Sequence, residues 1–255
     1  MNSTHREQIL DQFTRQATPF SSSPSIRDEA ALKLVIEFSG VGAGDTVLDV
    51  ACGPGILACA FARVAKHVTG IDITPAMLEK ARALQKDQGL ANLTWDHGDV
   101  TPLPYGDGQF TIVTSRFAFH HFLEPKAALA EMVRVCAPGG TVLVIDSAPA
   151  HEKADAFNRM EKLRDPSHTR ALPIEEHRAL FAAVGLPEPR ITWYRLQAEL
   201  EGLITRSFPN LGDDQKLRAI FEAALVSDDL DMQVHRGDGA IRLSYPVGVL
   251  AARKS

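Results

Sequence analysis

The chain has 255 residues, a formal net charge of −5, 45% hydrophobic and 23% charged residues. That length can bury a full core as one domain with an insertion, and the acidic balance argues against a general nucleic-acid-binding surface. No apolar run is long enough to cross a bilayer, the first residues, Met1 to Glu7, lack the apolar centre of a signal peptide, and Cys52, Cys59 and Cys136 neither pair evenly nor show a metal spacing. A reducing, cytoplasmic location is the default expectation, with no membrane and no nucleic acid as partner.

In chain order, residues 1–24 are polar with scattered aromatics, Phe13 and Phe20, before Ser21-Ser22-Ser23-Pro24, which predicts an arm or lid outside the core. Ser25 is placed to cap a helix that carries Asp28 in its first turn and ends near Gly40. Strand 46–51, helix 55–66, strand 68–73, helix 75–88 and strand 93–96 follow. Thr74 as N-cap, Pro75 at the first helical position and Gly89 beyond the end delimit the second of these helices. Asp107-Gly108 turns the chain into strand 110–115, and Glu124-Pro125 opens a helix that closes at Ala137-Pro138-Gly139-Gly140, before strand 141–146. Such alternation predicts an α/β fold with a parallel sheet and helices on both faces, binding ligands at the carboxyl ends of the strands. Asp49, Asp72, Asp99, Ser115 and Asp146 all fall near those ends.

The second half is less regular. A helix at 151–163 with Phe157, Met160 and Leu163 on a packing face precedes a helix at 173–184 and strand 191–196. Helices at 198–207 and 213–226 and strands at 232–235 and 241–252 complete the chain, with a hairpin turn at Arg236-Gly237-Asp238-Gly239. The expected organisation is a segment 1–24, then a single domain 25–255 whose binding core is 25–150 and whose remainder, 151–255, supplies a cap and the last strands.

The run Val47-Leu48-Asp49-Val50-Ala51-Cys52-Gly53-Pro54-Gly55, followed by an apolar helix and Val68-Thr69-Gly70-Ile71-Asp72, suits a nucleoside-containing cofactor. Glycines admit close backbone approach, and an acid about 20 residues on can bind ribose hydroxyls. A dinucleotide site needs G-x-G-x-x-G, but Ala58 stands where the third glycine belongs. Asp49, ahead of the glycines, repels a phosphate and welcomes an ammonium group. The pattern favours a nucleoside joined to an amino acid.

Asp49-Val50-Ala51-Cys52-Gly53-Pro54-Gly55 resembles the D/E-x-x-x-G-x-G motif of class I S-adenosylmethionine-dependent methyltransferases. Gly70 to Leu78, Gly98-Asp99-Val100-Thr101-Pro102-Leu103-Pro104-Tyr105 and Arg134 to Gly140 are similar to further blocks of the ubiquinone/menaquinone-biosynthesis type (type 11) and its small-molecule relatives, in family order over roughly residues 30–150. The resemblance implies a Rossmann-like, doubly wound, mostly parallel seven-stranded sheet with an antiparallel last strand and a small helical cap. It also implies S-adenosylmethionine as cofactor, S-adenosylhomocysteine as product and a small-molecule acceptor. The matching cofactor positions are Asp49, Ala51, Cys52, Gly53, Gly55, Asp72, Ile73, Met77, Asp99, Val100 and Ser115. Among them Asp72 would hold the ribose diol, Asp99 the adenine amino group, and Ile73, Met77 and Val100 wall the adenine.

After the fourth strand comes Ser115-Arg116-Phe117-Ala118-Phe119-His120-His121-Phe122. Methyl transfer needs alignment and desolvation, and a base only where the nucleophile must lose a proton. His120 or His121 can serve as that base, or can cap the next helix. Arg116 can bind an anionic substrate group or form a structural ion pair. Phe13 and Phe20 can close over the cofactor or pack on the body. His168 and Arg170, in the polar stretch after the 151–163 helix, are candidates to reach the pocket from the cap. No N/D-P-P-Y/F, no glutamate pair and no acidic metal cluster follow the fourth strand, so neither methylation of a base's exocyclic amine, nor methylation of protein arginine, nor a metal is expected. The rival readings are a non-catalytic S-adenosylmethionine-binding partner subunit and, disfavoured by Ala58, an NAD-dependent oxidoreductase. Oligomeric state is not readable from this sequence.

Overall fold

The computed structural model describes residues 3–255, Ser3 by its backbone only. The strands are β1 (Thr46–Val50), β2 (His67–Asp72), β3 (Leu93–His97), β4 (Phe110–Arg116), β5 (Cys136–Ser147), β6 (Arg190–Glu199), β7 (His235–Gly237) and β8 (Ala240–Arg253). They form one sheet in the order β3-β2-β1-β4-β5-β8-β6, with β7 paired to β8. The first five run parallel, whereas β8 is antiparallel to both β5 and β6. The sheet therefore has eight strands, the number read along the chain and one more than the resemblance implies. The eighth arises at the Asp238-Gly239 turn, whose two positive φ values, 51° and 79°, suit a tight hairpin and let His235–Gly237 fold back on β8.

Period-two alternation sorts the central strands between two cores. Val47 faces one cluster while Leu48 and Val50 face the other, and Leu143 and Ile145 oppose Val142 and Val144 in the same way. The first cluster is covered by α2 (Glu29–Ser39), α3 (Ile56–Ala62), α6 (Ala154–Arg164), α8 (Leu200–Ser207) and α9 (Asp213–Ala223). The second is covered by α5 (Pro125–Val135) and α7 (Ile174–Ala183). α4 (Pro75–Asp87) packs beside β2 and β3.

Two local expectations change. Asp28, not Ser25, caps α2, its carboxylate accepting from Ala30 N and Ala31 N, while the Ser25 hydroxyl donates to the Gln197 carbonyl. The expected 1–24 arm, whose first two residues lie outside the described ones, is mostly the helix α1 (Ser3–Ser21). Ile9, Gln12, Gln16 and Ala17 are buried on it, although α1 belongs to neither core cluster.

Candidate active site

The strand order reverses its direction of winding between β1 and β4, and there a crevice opens at the carboxyl ends. Ala51, Cys52, Gly53, Asp72, Ile73, Met77, Asp99, Val100, Arg116, Phe117 and His121 line it, with Ile9, Phe13 and Phe20 of α1 closing one side. The space is about 860 Å³ including its mouth, within the ordinary range for a small-molecule site. Gly53, at φ +52°, lines the crevice, and a Cβ there would meet no atom within 4 Å. Gly55, at φ +75°, has a packing role: a Cβ would lie 2.5 Å from the Trp95 ring.

Asp72 ties the turn together. Its Oδ2 accepts from Gly53 N and its Oδ1 from Thr74 N, each at 2.8 Å. One carboxylate thus lines the crevice and bridges the glycine turn to the start of α4. Burial raises its pKa, opposed by those bonds. Asp49 is buried, its Oδ2 has no partner among the described residues, and burial pushes its pKa up to about 7, with Arg116 opposing and Asp72 adding. Asp99 accepts from Val100 N at 2.7 Å and has Arg6 at 3.8 Å. Two carboxyl groups on adjoining strand ends, one of them with an oxygen that lacks a donor, fit a ligand that brings hydroxyls and a cation.

A second chamber of about 780 Å³ adjoins the first, sharing Phe13, Phe20, Ile26, Phe117 and His121 as walls. Its far side is polar: Arg164 makes a paired contact with Glu161 at 2.7 and 2.9 Å, Tyr245 donates to Glu161 at 2.9 Å, and Gln16 donates to Asp165 at 3.1 Å. The short 3-10 turn Phe119–His121 places the two histidines differently. His120 lines only the second chamber, and its Nδ1 meets Asp146 Oδ1 at 2.5 Å. Burial alone would lower its pKa, but the Asp146 charge and hydrogen bond raise it above the ordinary value. His121 stands at the junction of the chambers. Its Nδ1 lies 3.1 Å from the Ser167 carbonyl, which can only accept, so Nδ1 carries the hydrogen and Nε2 the lone pair. Burial, then the His120 charge, pushes the His121 pKa down to about 3, so the ring is neutral across the physiological range.

Of the residues singled out in the sequence, four lie away from both chambers. Ser115 is fully buried in β4, and its Oγ has no partner among the described residues. Gly55 caps α3 behind the crevice. His168 is buried and bonded to Asn158 at 2.7 Å. Arg170 is held outside by Glu176 at 2.7 Å and Asp155 at 3.7 Å. Arg164 and Asp165 reach the chamber where the following residues do not. Gln16, Glu161, Arg206 and Tyr245 carried no motif, and only the fold assembles them.

This topology, with an acid–glycine turn at the switch point and a carboxylate closing β2, defines a nucleoside-cofactor α/β fold of the methyltransferase class. Residues 48–144 match the family model described as a methyltransferase domain. The chain is 34% identical to the uncharacterized methyltransferase YcgJ of Bacillus subtilis over 198 residues, covering 74% of this chain and 78% of that one. It is 40% identical to the ubiquinone/menaquinone biosynthesis C-methyltransferase UbiE of Bdellovibrio bacteriovorus over 116 residues, spanning 45% of this chain and 49% of the relative. The crystal structure of B. subtilis YcgJ superposes with a TM-score of 0.80 at 26% identity, over 88% of this chain and 98% of that one. The chain belongs to the S-adenosylmethionine-dependent methyltransferase family. No helix among the described residues is long and apolar enough to cross a membrane.

Proposed function

We propose that this protein transfers the methyl group of S-adenosylmethionine to a small-molecule acceptor held in the second chamber. The observation that carries this reading is the pair of contiguous chambers meeting at His121, one with the family's acid–glycine turn and the other walled by the C-terminal half of the chain. When bound, the cofactor supplies a methyl carbon made electrophilic by its sulfonium. Asp72 and Asp99 are placed to accept from the ribose and adenine, Ile73, Met77 and Val100 offer apolar walls, and Asp49 offers a carboxylate to the cationic end. Phe13, Phe20 and Phe117 exclude water between the chambers, which favours a charge-dispersing transfer. His121 Nε2 accepts a hydrogen bond from the acceptor's O–H or N–H and orients its lone pair. A ring with a pKa near 3 is a weak base, so orientation is its main contribution.

The test is calorimetry of S-adenosylmethionine binding, together with S-adenosylhomocysteine release over a panel of small acceptors. Wild type binds and turns over at least one acceptor. Asp72→Ala lowers affinity roughly ten- to a hundredfold, as expected from losing charged hydrogen bonds of about 1.5–3 kcal/mol. Unchanged affinity in that variant removes Asp72 from the cofactor site, and binding without any turnover favours a non-catalytic subunit.

A further inference from the structure

We propose that the second chamber holds the acceptor by a carboxylate, seated on the Arg206 guanidinium with the apolar body of the molecule against Phe117, Leu196 and Leu203. The inference rests on the methyltransferase reading and specifies its substrate class. Arg206 lies in the last turn of α8, is half-buried and lines this chamber. Among the described residues it has no hydrogen-bond or ion-pair partner. The other charged side chains of the wall each have a hydrogen-bond or ion-pair partner. Glu161 takes Arg164, whose remaining contact is the Ser207 hydroxyl at 2.9 Å. Asp165 accepts from Gln16 and from Ser167, and His120 faces Asp146. Among the described residues of this wall, Arg206 is the charged group that holds no partner, in a partly desolvated space. A guanidinium there favours a planar anion that it can grip with two parallel hydrogen bonds. A cationic or a neutral acceptor would leave the guanidinium unpaired.

Placement decides what the carboxylate does. Arg206 borders the second chamber only, whereas Phe13, Phe20 and His121 border both. A molecule gripped at Arg206 presents its opposite end to His121 and the cofactor side. The carboxylate is therefore the handle, and the methyl group goes to another atom of the acceptor.

The experiment uses the full chain with S-adenosylhomocysteine bound, titrated calorimetrically with benzoate, phenylacetate, 3-phenylpropionate and octanoate, and with the methyl ester of each. At least one acid binds about tenfold or more tightly than its ester, the scale of one charge-assisted pair. Arg206→Gln abolishes that preference, Arg206→Lys retains part of it, and both keep wild-type affinity for S-adenosylhomocysteine. Esters bound as tightly as acids, an acid preference that survives Arg206→Gln, or no acid bound at all overturns the proposal. Failure of the wild type to bind S-adenosylhomocysteine would instead remove the methyltransferase reading beneath it.

Discussion

Asp49 shows how burial sets chemistry at the scale of one residue. Its carboxyl sits between a cation, Arg116, and an anion, Asp72, with burial outweighing both and moving its pKa from 3.8 to about 7. On the proposed reading a cation arriving beside it favours the ionised form, so S-adenosylmethionine binding should release a proton in the neutral range. Affinity for S-adenosylmethionine should rise by up to about tenfold per pH unit below 7 and level off above it. Asp49→Asn should flatten that profile, and a wild-type affinity independent of pH between 5.5 and 8 would refute the assignment. The stability effect has the opposite sign. The folded pKa lies above the unfolded one, so the protonated carboxyl's contribution is intact below about 3.8 and lost as pH rises through about 7. In the absence of cofactor, the melting temperature of Asp49→Asn relative to wild type should therefore be higher at pH 8 than at pH 5.

Among the helices, α1 packs on α4 and α8 and borders the crevice. It contributes to neither apolar core and is fastened by polar contacts: His5 to the His121 carbonyl at 2.8 Å, Gln12 to the Ser207 carbonyl, and Gln16 to Asp165. Phe13 sets its ring edge-on to His121 at 4.9 Å. An element outside the central cores opens at a lower free energy than the central strands. Because Ile9, Phe13 and Phe20 also wall the crevice, a bound cofactor should close it. Amide hydrogen exchange in residues 5–20 should slow on adding S-adenosylhomocysteine, while β5 stays fully protected in either state. Equal α1 protection with and without the ligand would show that this helix does not respond to the site.

At the scale of the whole molecule, the sheet order joins the two halves of the chain. β8, fourteen residues long and buried for most of its length, lies between β5 and β6. Its partner β5 belongs to the stretch that matches the family model. A chain ended at residue 150 would leave β5 as an exposed apolar edge, a template for aggregation. Such a fragment should fail to give a cooperative thermal transition or a near-ultraviolet circular dichroism spectrum. A monomeric fragment that melts cooperatively would instead show that the cofactor half folds alone. The same joining places the second chamber between α1, α6, α8 and β8, which come from both ends of the chain.

What was legible in the sequence was local. The β1 turn, Asp72, Asp99 and the alternation of strand and helix announce themselves because glycine punctuation and hydrophobic period act over a few residues. The capping of α2 was misread by three positions, since Ser25 and Asp28 offer similar chemistry and only the contact with Gln197 separates them. α1 was hidden because its buried face is largely polar: Gln12, Gln16 and His5 meet partners 195, 149 and 116 positions away. His120 and His121 are neighbours of one type in the sequence, yet Asp146 makes one an ion-pair donor while burial keeps the other neutral. The order of residues by itself determined the α/β sheet and the cofactor turn, because both follow from short-range pattern. The tertiary structure alone decided the second chamber and its unpartnered Arg206, because pairing of polar groups across distant segments exists only once the chain has closed on itself.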